Sequence, residues 1–195
     1  MFAPLYDLMQ APLERGVLGP MRDDLLGGLT GDVLDVGAGT GVNLPYFRSA
    51  GRVVAVEPDR SMRARLATRA GGAEVVAAPA EDLPFPDASF DAVVATLVLC
   101  SVADLDRALA QIRRVLRPDG RLVVLEHVRG QGRLAWWQDH LNPLWSRLVG
   151  GCQLNRDTRA AMVRAGFAVD GVADLAPLPS WVLTRTMVRG IAVPA

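Results

Sequence analysis

The sequence predicts an α/β fold, an open and mostly parallel β-sheet with helices on both faces. Two observations indicate it: five short apolar segments have the composition of strands buried on both faces, and helix-like segments alternate with them. The predicted strands are 32–37, 52–57, 74–78, 90–95 and 121–127, and the predicted helices between them are 42–49, 60–70 and 104–116. Such alternation is typical of a doubly wound sheet.

The segment 104–116 shows the helical pattern most clearly. Its large aliphatic residues recur at three- and four-residue spacing, whereas residues such as Asp106 and Arg113 fall on the opposite face. The helix is expected to stop at Arg117-Pro118-Asp119-Gly120, a turn that leads into the fifth strand.

The pattern changes after residue 128. A Trp-rich segment, 132–149, is expected to be helical and to break at Pro143, and a short helix is expected at 157–165. Two β-like runs, 167–175 and 181–193, have no helix between them. They should therefore close the sheet as an antiparallel edge hairpin, which gives seven strands.

Size and composition exclude several classes of function. The 195 residues suffice for one domain, half of them are apolar, and 21 acidic residues balance 21 basic ones. This balance argues against a nucleic-acid binder with a broad basic surface. Neither a run of 18 apolar residues nor a secretory signal is present. Every basic residue is Arg, which excludes lysine chemistry.

The two cysteines, Cys100 and Cys152, cannot build a disulfide framework, so we expect a reducing, cytoplasmic setting. No CxxC motif or clustered Cys/His spacing is present, and we expect no metal site.

The main functional motif is Asp35-Val36-Gly37-Ala38-Gly39-Thr40-Gly41, which ends the first strand. Alternate glycines allow a sharp turn and let a ligand approach the backbone. Glu57, 22 residues after Asp35, ends the second strand, where a carboxylate can accept both hydroxyls of a ribose. The loop reads GxGxG rather than the dinucleotide pattern GxGxxG and contains no basic residue to hold a pyrophosphate. A nucleoside without phosphates is therefore favoured over NAD.

These motifs resemble those of the class I S-adenosylmethionine-dependent methyltransferases, with their Rossmann-like fold. The resemblance also covers Ala80-Glu81-Asp82-Leu83-Pro84-Phe85, Ser89-Phe90-Asp91-Ala92-Val93 and Val115-Leu116-Arg117-Pro118-Asp119-Gly120-Arg121-Leu122. It implies that S-adenosyl-L-methionine is the cofactor. Asp35 and the loop Gly37, Ala38, Gly39, Thr40 and Gly41 would hold its methionine part, and Glu57 its ribose. Pro58 and Met62 would flank the adenine, with Ala80, Glu81 and Asp82 near its edge, and Leu97 would line the other side of the cofactor.

Other segments are similar to the methyltransferase-like group that methylates alkyl thiols. They are Thr96–Val102, Glu126-His127-Val128, Trp137-Gln138, Pro143-Leu144-Trp145, Gly151–Thr158 and the opening Tyr6-Asp7-Leu8-Met9. Members of that group carry an N-terminal membrane helix, which this sequence lacks, so weak membrane association is the most we expect. The resemblance implies a small, mostly apolar acceptor and, first, a thiol sulfur. A phenol or quinone, a lipid amine, and an accessory protein that binds the cofactor without methyl transfer are the alternatives.

Three residues are candidates for the acceptor site. His127 ends the fifth strand at the carboxyl edge, where it could be a base or form a structural hydrogen bond. Cys100 follows the fourth strand and would line the acceptor site or fill the core. By resemblance, Tyr6 belongs to a helical lid, residues 1–30, over the cofactor-binding core, 31–128; a plain packing helix is the alternative. Residues 129–195 would form the acceptor-side cap and closing strands of the same domain, 1–195.

The aromatic segment 132–149 leaves three interpretations open. Leu134, Trp137, Leu141, Leu144, Trp145 and Leu148 fall on one stripe. This stripe could pack on the sheet, cap an apolar substrate or dock at a membrane surface. Only Arg133 and Arg147 supply positive charge to the segment, which argues against strong attraction to anionic lipid.

Overall fold

A computed structural model of the protein describes residues 7–8 and 11–195. A π-helical turn, Glu14–Leu18, leads into the first helix. The helices are α1 (Gly19–Leu26), α2 (Arg60–Ala67), α3 (Leu105–Val115), α4 (Gly132–Leu148) and α5 (Thr158–Arg164). The strands are β1 (Asp32–Val36), β2 (Arg52–Val56), β3 (Glu74–Val76), β4 (Phe90–Thr96), β5 (Leu116–His127), β6 (Phe167–Ala168), β7 (Val172–Leu175) and β8 (Met187–Pro194).

The described strands form one twisted layer in the order β3-β2-β1-β4-β5-β8-β6, with β7 also paired to β8. The first five strands are parallel, and β8 runs antiparallel to β5, β6 and β7. This confirms the predicted parallel sheet with an antiparallel edge. The predicted run 167–175 is split into β6 and β7, so the structure has eight strands rather than seven, and β8 begins later than the predicted 181.

Helices cover both faces of the sheet because alternate strand residues point to opposite sides. On one face, Leu109 and Ile112 of α3 and Met162 of α5 pack against strand residues such as Val93. On the other face, Leu26 of α1 packs in a separate cluster around Val94. The parallel strands are thus buried from both sides, as their continuous apolar composition predicts.

Three predictions about individual elements were wrong. The segment 42–49 contains only one 3₁₀ turn, Leu44–Tyr46, instead of a helix. Residues 117–120 do not form a free turn, because β5 already begins at Leu116 and its pairing with β4 contains a register shift. Pro143 lies inside α4 without breaking it.

The apolar stripe of α4 is not a packing face along its whole length. Leu144 and Leu148 are 60% and 71% exposed, and Trp137 is 46% exposed. The buried positions of α4 are Ala135 and Gln138, and Gln138 holds the backbone of Val128, Gly130 and Leu183 by hydrogen bonds. The helix is therefore anchored to the end of β5 by an amide side chain.

None of the helices in the described part of the chain is both long and apolar enough to cross a bilayer.

Candidate functional site

The candidate site lies at the carboxyl edge of the parallel strands. The strand order reverses between β1 and β4, and such a switch point opens a crevice where α/β proteins bind ligands. The glycine loop follows β1, Glu57 follows β2, Leu97 follows β4 and His127 ends β5. The topology therefore brings these predicted cofactor and acceptor residues to one edge.

The glycines of the loop have different tasks. All three have positive φ, between 57° and 86°. A Cβ at Gly37 would lie 2.1 Å from Cγ2 of Val98, so this glycine makes room for the chain after β4. A Cβ at Gly39 would have no neighbour closer than 3.9 Å, so the backbone there faces open space. Gly39 is therefore the loop position most open to a ligand.

Glu57 lies directly beside the glycine loop. Its Oε2 accepts a hydrogen bond from the N–H of Gly39 at 2.9 Å, and its Oε1 accepts one from the N–H of Asp59 at 2.8 Å. Burial raises the pKa of Glu57, and these two bonds oppose the rise. The carboxylate is thus held in place, and each oxygen keeps a lone pair for a hydroxyl group of a ligand.

Asp35 is fully buried at the end of β1. Its Oδ1 accepts from Nδ2 of Asn43 at 2.7 Å, whereas its Oδ2 has no partner in the described structure. Burial raises the pKa of Asp35 to about 7, although the hydrogen bond from Asn43 and the charge of Arg22 oppose the rise. A buried carboxylate with an unpartnered oxygen fits a ligand that brings a positive charge to this loop.

Sequence reasoning missed the polar network behind this carboxylate. The guanidinium of Arg22, only 2% exposed, donates to Asn43, to Oγ1 of Thr96 and to Glu14. Asn43 in turn connects Thr96 with Asp35. No sequence motif marks Arg22, since it is one of many arginines in the chain. Asn43 carries a weak signal, its position just after the loop.

The N-terminal segment contacts the loop from outside. Oγ1 of Thr40 donates to Asp7, and Asp7 also pairs with Arg69 at 2.6 Å and Arg65 at 3.4 Å. This contact places part of the predicted lid against the glycine loop. Tyr6 lies outside the described residues.

The remaining predicted cofactor residues lie around the same edge. Pro58 is exposed, Met62 is half-buried and Ala80 is buried. Oε1 of Glu81 accepts from the N–H groups of Ala103 and Asp104 at the start of α3. Asp82 is exposed. Their predicted contacts with adenine remain predictions.

Leu97 has an unusual backbone for a leucine, with φ at 55°. Its N–H still donates to the carbonyl of Leu125, so the strained conformation is held by the neighbouring strand. Strain of this kind is common where a chain lines a ligand site. The next two residues, Val98 and Leu99, donate their N–H groups to the carboxylate of Glu126, both at 2.8 Å.

Two of the candidate acceptor residues, Cys100 and His127, form a cluster with Cys152, which sequence reasoning did not select. One ligand atom each from Cys100, His127 and Cys152 lies within 4.8 Å of the others, and all three residues are buried. Nε2 of His127 is 3.0 Å from Sγ of Cys152, and Nε1 of Trp145 donates to the same sulfur. The expectation of no clustered Cys/His set considered only spacing along the chain and missed this cluster.

The two thiols of the cluster differ in acidity. The proximity of the two thiols lowers the pKa of Cys152 and raises that of Cys100. The contact with His127 lowers the pKa of Cys152 further, and burial raises that of Cys100. Cys152 is therefore the thiol that ionises first. Since Nε2 of His127 faces this sulfur, the imidazole is not free to serve as an independent base through that atom.

The groups around the loop suit S-adenosylmethionine. The unpartnered oxygen of Asp35 matches a positively charged ligand, the carboxylate of Glu57 matches a ribose, and the open backbone at Gly39 allows close approach. The loop itself carries no basic side chain for a phosphate.

Comparison with known proteins agrees with this geometry. Residues 34–124 match the family model described as a methyltransferase domain. Human thiol S-methyltransferase TMT1A is 32% identical over 98% of this chain and 82% of its own length. The ubiquinone/menaquinone biosynthesis C-methyltransferase UbiE of Teredinibacter turnerae is 36% identical over 68% of this chain and 59% of its own length.

A solved S-adenosylmethionine-dependent methyltransferase from Thermotoga maritima has the same fold, with a TM-score of 0.68 and 22% identity. The match covers 100% of this chain and 99% of that one. The fold, the glycine loop with Glu57 and a similarity over nearly the whole of this chain lead to one conclusion: the chain belongs to the class I S-adenosylmethionine-dependent methyltransferases, close to the thiol S-methyltransferase group.

Proposed function

We propose that the protein transfers the methyl group of S-adenosylmethionine to the thiol sulfur of a small, mostly apolar acceptor. One observation carries the proposal: segments distant in sequence that resemble the thiol methyltransferases meet at one place. The loop after β4 supplies Cys100, the end of β5 supplies His127, and the loop after α4 supplies Cys152.

Hydrogen bonds hold these segments together. The N–H of Gln153 donates to the carbonyl of Cys100 at 2.8 Å. Arg156 donates to the carbonyls of Leu99 and Val102 at 2.6 and 2.5 Å. The loop after α4 is therefore built onto the loop after β4, which gives the acceptor side a fixed shape.

The bound cofactor supplies an electrophilic methyl group on a sulfonium centre. The protein's task is to hold the acceptor atom in line and to exclude water, and orientation alone gives effective molarities of about 10⁵–10⁸ M. At the acceptor side, Nε2 of His127 is occupied by Cys152. An acceptor that ionises readily suits such a site, and a thiol with a pKa near 8.5 ionises far more readily than a phenol near 10.

A quinone or phenol acceptor is the second candidate, because the UbiE relative is a quinone C-methyltransferase by name and matches two thirds of this chain. The test is a panel of an alkyl thiol, a phenol, a demethylquinol and a lipid amine, each incubated with S-adenosylmethionine, with S-adenosylhomocysteine release as the readout. We expect product from the thiol. Turnover of the phenol, quinol or amine without turnover of the thiol would contradict the proposal.

A further inference from the structure

We propose that Cys100, His127 and Cys152 bind a zinc ion with three protein ligands, and that the fourth position receives the sulfur of the acceptor thiol. The metal site stands on the geometry of the cluster, and the role of the fourth position rests on the proposed function. Sites with three protein ligands and one open position are the arrangement that zinc adopts when it takes part in catalysis.

The donor set matches zinc. Two cysteine sulfurs and one imidazole nitrogen are soft or borderline ligands that suit Zn²⁺, and no carboxylate belongs to the set. With Zn–S bonds of about 2.3 Å and Zn–N bonds of about 2.0 Å, a tetrahedral ion places its sulfur and nitrogen ligands about 3.5 Å apart. Nε2 of His127 and Sγ of Cys152 are 3.0 Å apart. The two side chains would have to move apart by about 0.5 Å to admit the ion, which a small side-chain rotation allows.

The ligands are held by the structure around them. Cys100 and Cys152 lie on loops that are tied together by Gln153 and Arg156, and His127 lies on a central strand. Glu126 connects that strand to the loop that carries Cys100, through its bonds to Val98 and Leu99. Three ligands are thus presented from a rigid frame, as a preorganised metal site requires.

The electrostatics of the cluster favour a cation. Oε2 of Glu126 is buried and has no hydrogen-bond partner, and Glu126 forms no ion pair within the described part of the chain. A buried carboxylate close to Cys100 makes a second buried negative charge there costly unless a positive charge lies nearby. A divalent ion neutralises the charge of two thiolate ligands, so both thiols can ionise beside Glu126 without adding negative charge to the buried cluster.

The open position then acts on the acceptor. A thiol that binds there loses its S–H proton to solvent, forms a bond from sulfur to the metal and displaces the metal-bound water. Bound as a thiolate, it is held beside the carboxyl edge of β4 and β5, where the sequence resemblance places the reacting methyl group. The cluster thus gives the protein a selective binding site for sulfur.

Cobalt provides the direct test, since Co²⁺ occupies tetrahedral zinc sites and absorbs in the near ultraviolet when a thiolate binds it. The full chain is stripped with a chelator, kept reduced with a phosphine and titrated with Co²⁺. We expect one equivalent to bind, with a thiolate-to-cobalt band that Zn²⁺ abolishes.

The chain offers sharp controls, because its only cysteines are the two proposed ligands. Cys100→Ser and Cys152→Ser should each lower the band, and His127→Ala should weaken Co²⁺ binding by more than about 10-fold. His140→Ala, a change at the exposed second histidine, should leave both the band and Co²⁺ binding unchanged. Binding of S-adenosylhomocysteine shows that each variant is folded. No band, or a band unchanged in either cysteine variant, would overturn the site.

Addition of an alkyl thiol to the cobalt form tests the fourth position, with the matching alcohol as control. The thiol should strengthen the band, because a third sulfur joins the ion, and the alcohol should not. Methylation of a thiol that leaves the spectrum unchanged would overturn the acceptor role. A thiol that changes the spectrum but is never methylated would support the metal site while contradicting the proposed function.

Discussion

Glu57 has two roles that a substitution must separate. Its carboxylate positions the backbone at Gly39 and Asp59, and it is the proposed partner of the ribose hydroxyls. We predict that Glu57→Ala weakens binding of S-adenosylhomocysteine by about 1–3 kcal/mol, because charge-assisted hydrogen bonds are lost. Calorimetric titration measures the change. Glu74→Ala, which removes an exposed carboxylate on β3, is the matched control, and equal affinity of the Glu57 variant and the unaltered protein would show that the ribose binds elsewhere.

Asp35 makes the stability of the ligand-free protein depend on pH. Its pKa is raised by burial from 3.8 to about 7, so the folded state binds more protons than the unfolded state between these values. The contribution of Asp35 to stability is therefore full below about pH 4 and is lost as the pH rises to about 7. By linkage, three pKa units correspond to at most about 4 kcal/mol.

We predict that Asp35→Asn removes this dependence. The asparagine keeps an acceptor for Nδ2 of Asn43 and carries no charge, so the variant should match the unaltered protein near pH 4 and exceed its free energy of unfolding at pH 8. Urea denaturation at both pH values measures the difference. An equal change in unfolding free energy between pH 4 and pH 8 in the two proteins would contradict the prediction.

Binding of S-adenosylhomocysteine, which carries the same ammonium group as the cofactor, should weaken in the Asp35→Asn variant at pH 8.

At the scale of elements, Arg22 connects α1 to Asn43, just after the glycine loop, and to Thr96 at the end of β4. It is one of the largest fully buried side chains and bonds Glu14, Asn43 and Thr96. We predict that Arg22→Met destabilises the protein by about 3–5 kcal/mol, because it leaves a buried acidic and polar set without its donor. Arg22→Lys should not restore stability, since an ammonium group cannot reproduce the fork of the guanidinium.

The matched control for Arg22 is Arg48→Met. Arg48 also pairs with an aspartate of α1, Asp23, but both side chains are half exposed. Exposed ion pairs contribute about 0–1 kcal/mol, so chemical denaturation should show a small loss there. Similar losses of unfolding free energy in the Arg22 and Arg48 variants would mean that the buried network of Arg22 does not join α1 to the end of β4.

At the scale of the whole molecule, cofactor binding should stabilise the fold. The site is assembled from the loops after β1, β2 and β4, which unfolding separates. S-adenosylhomocysteine at about 100 times its dissociation constant should therefore add about 2.7 kcal/mol to the free energy of unfolding. For a chain of this size, that corresponds to a rise in Tm of about 5–10 °C. Thermal unfolding measures it, and an equal rise with NAD would show that the loop does not discriminate against dinucleotides.

The sequence predicted most of the parallel core and the glycine loop that ends β1, because those signals are local. A buried strand can be recognised from five consecutive, mostly apolar residues. The GxGxG loop and Glu57 can be recognised from their spacing, because they lie in adjacent β-α units. The errors arose where local preference and tertiary context disagree. Pro143 is tolerated inside α4, and β5 begins at Leu116, before the predicted turn at 117–120, because Leu116 already pairs with Phe90 of β4.

By itself, the sequence determined the fold class and the cofactor, and it predicted the edge of the sheet at which we propose that the chemistry takes place. The tertiary structure alone decided which polar groups meet there. Cys100 and Cys152 are separated by 52 residues, and Arg22 and Thr96 by 74, so no periodicity or spacing connects them. Their contacts arise when strands, helices and loops pack in three dimensions, because packing joins residues whose positions along the chain carry no common signal.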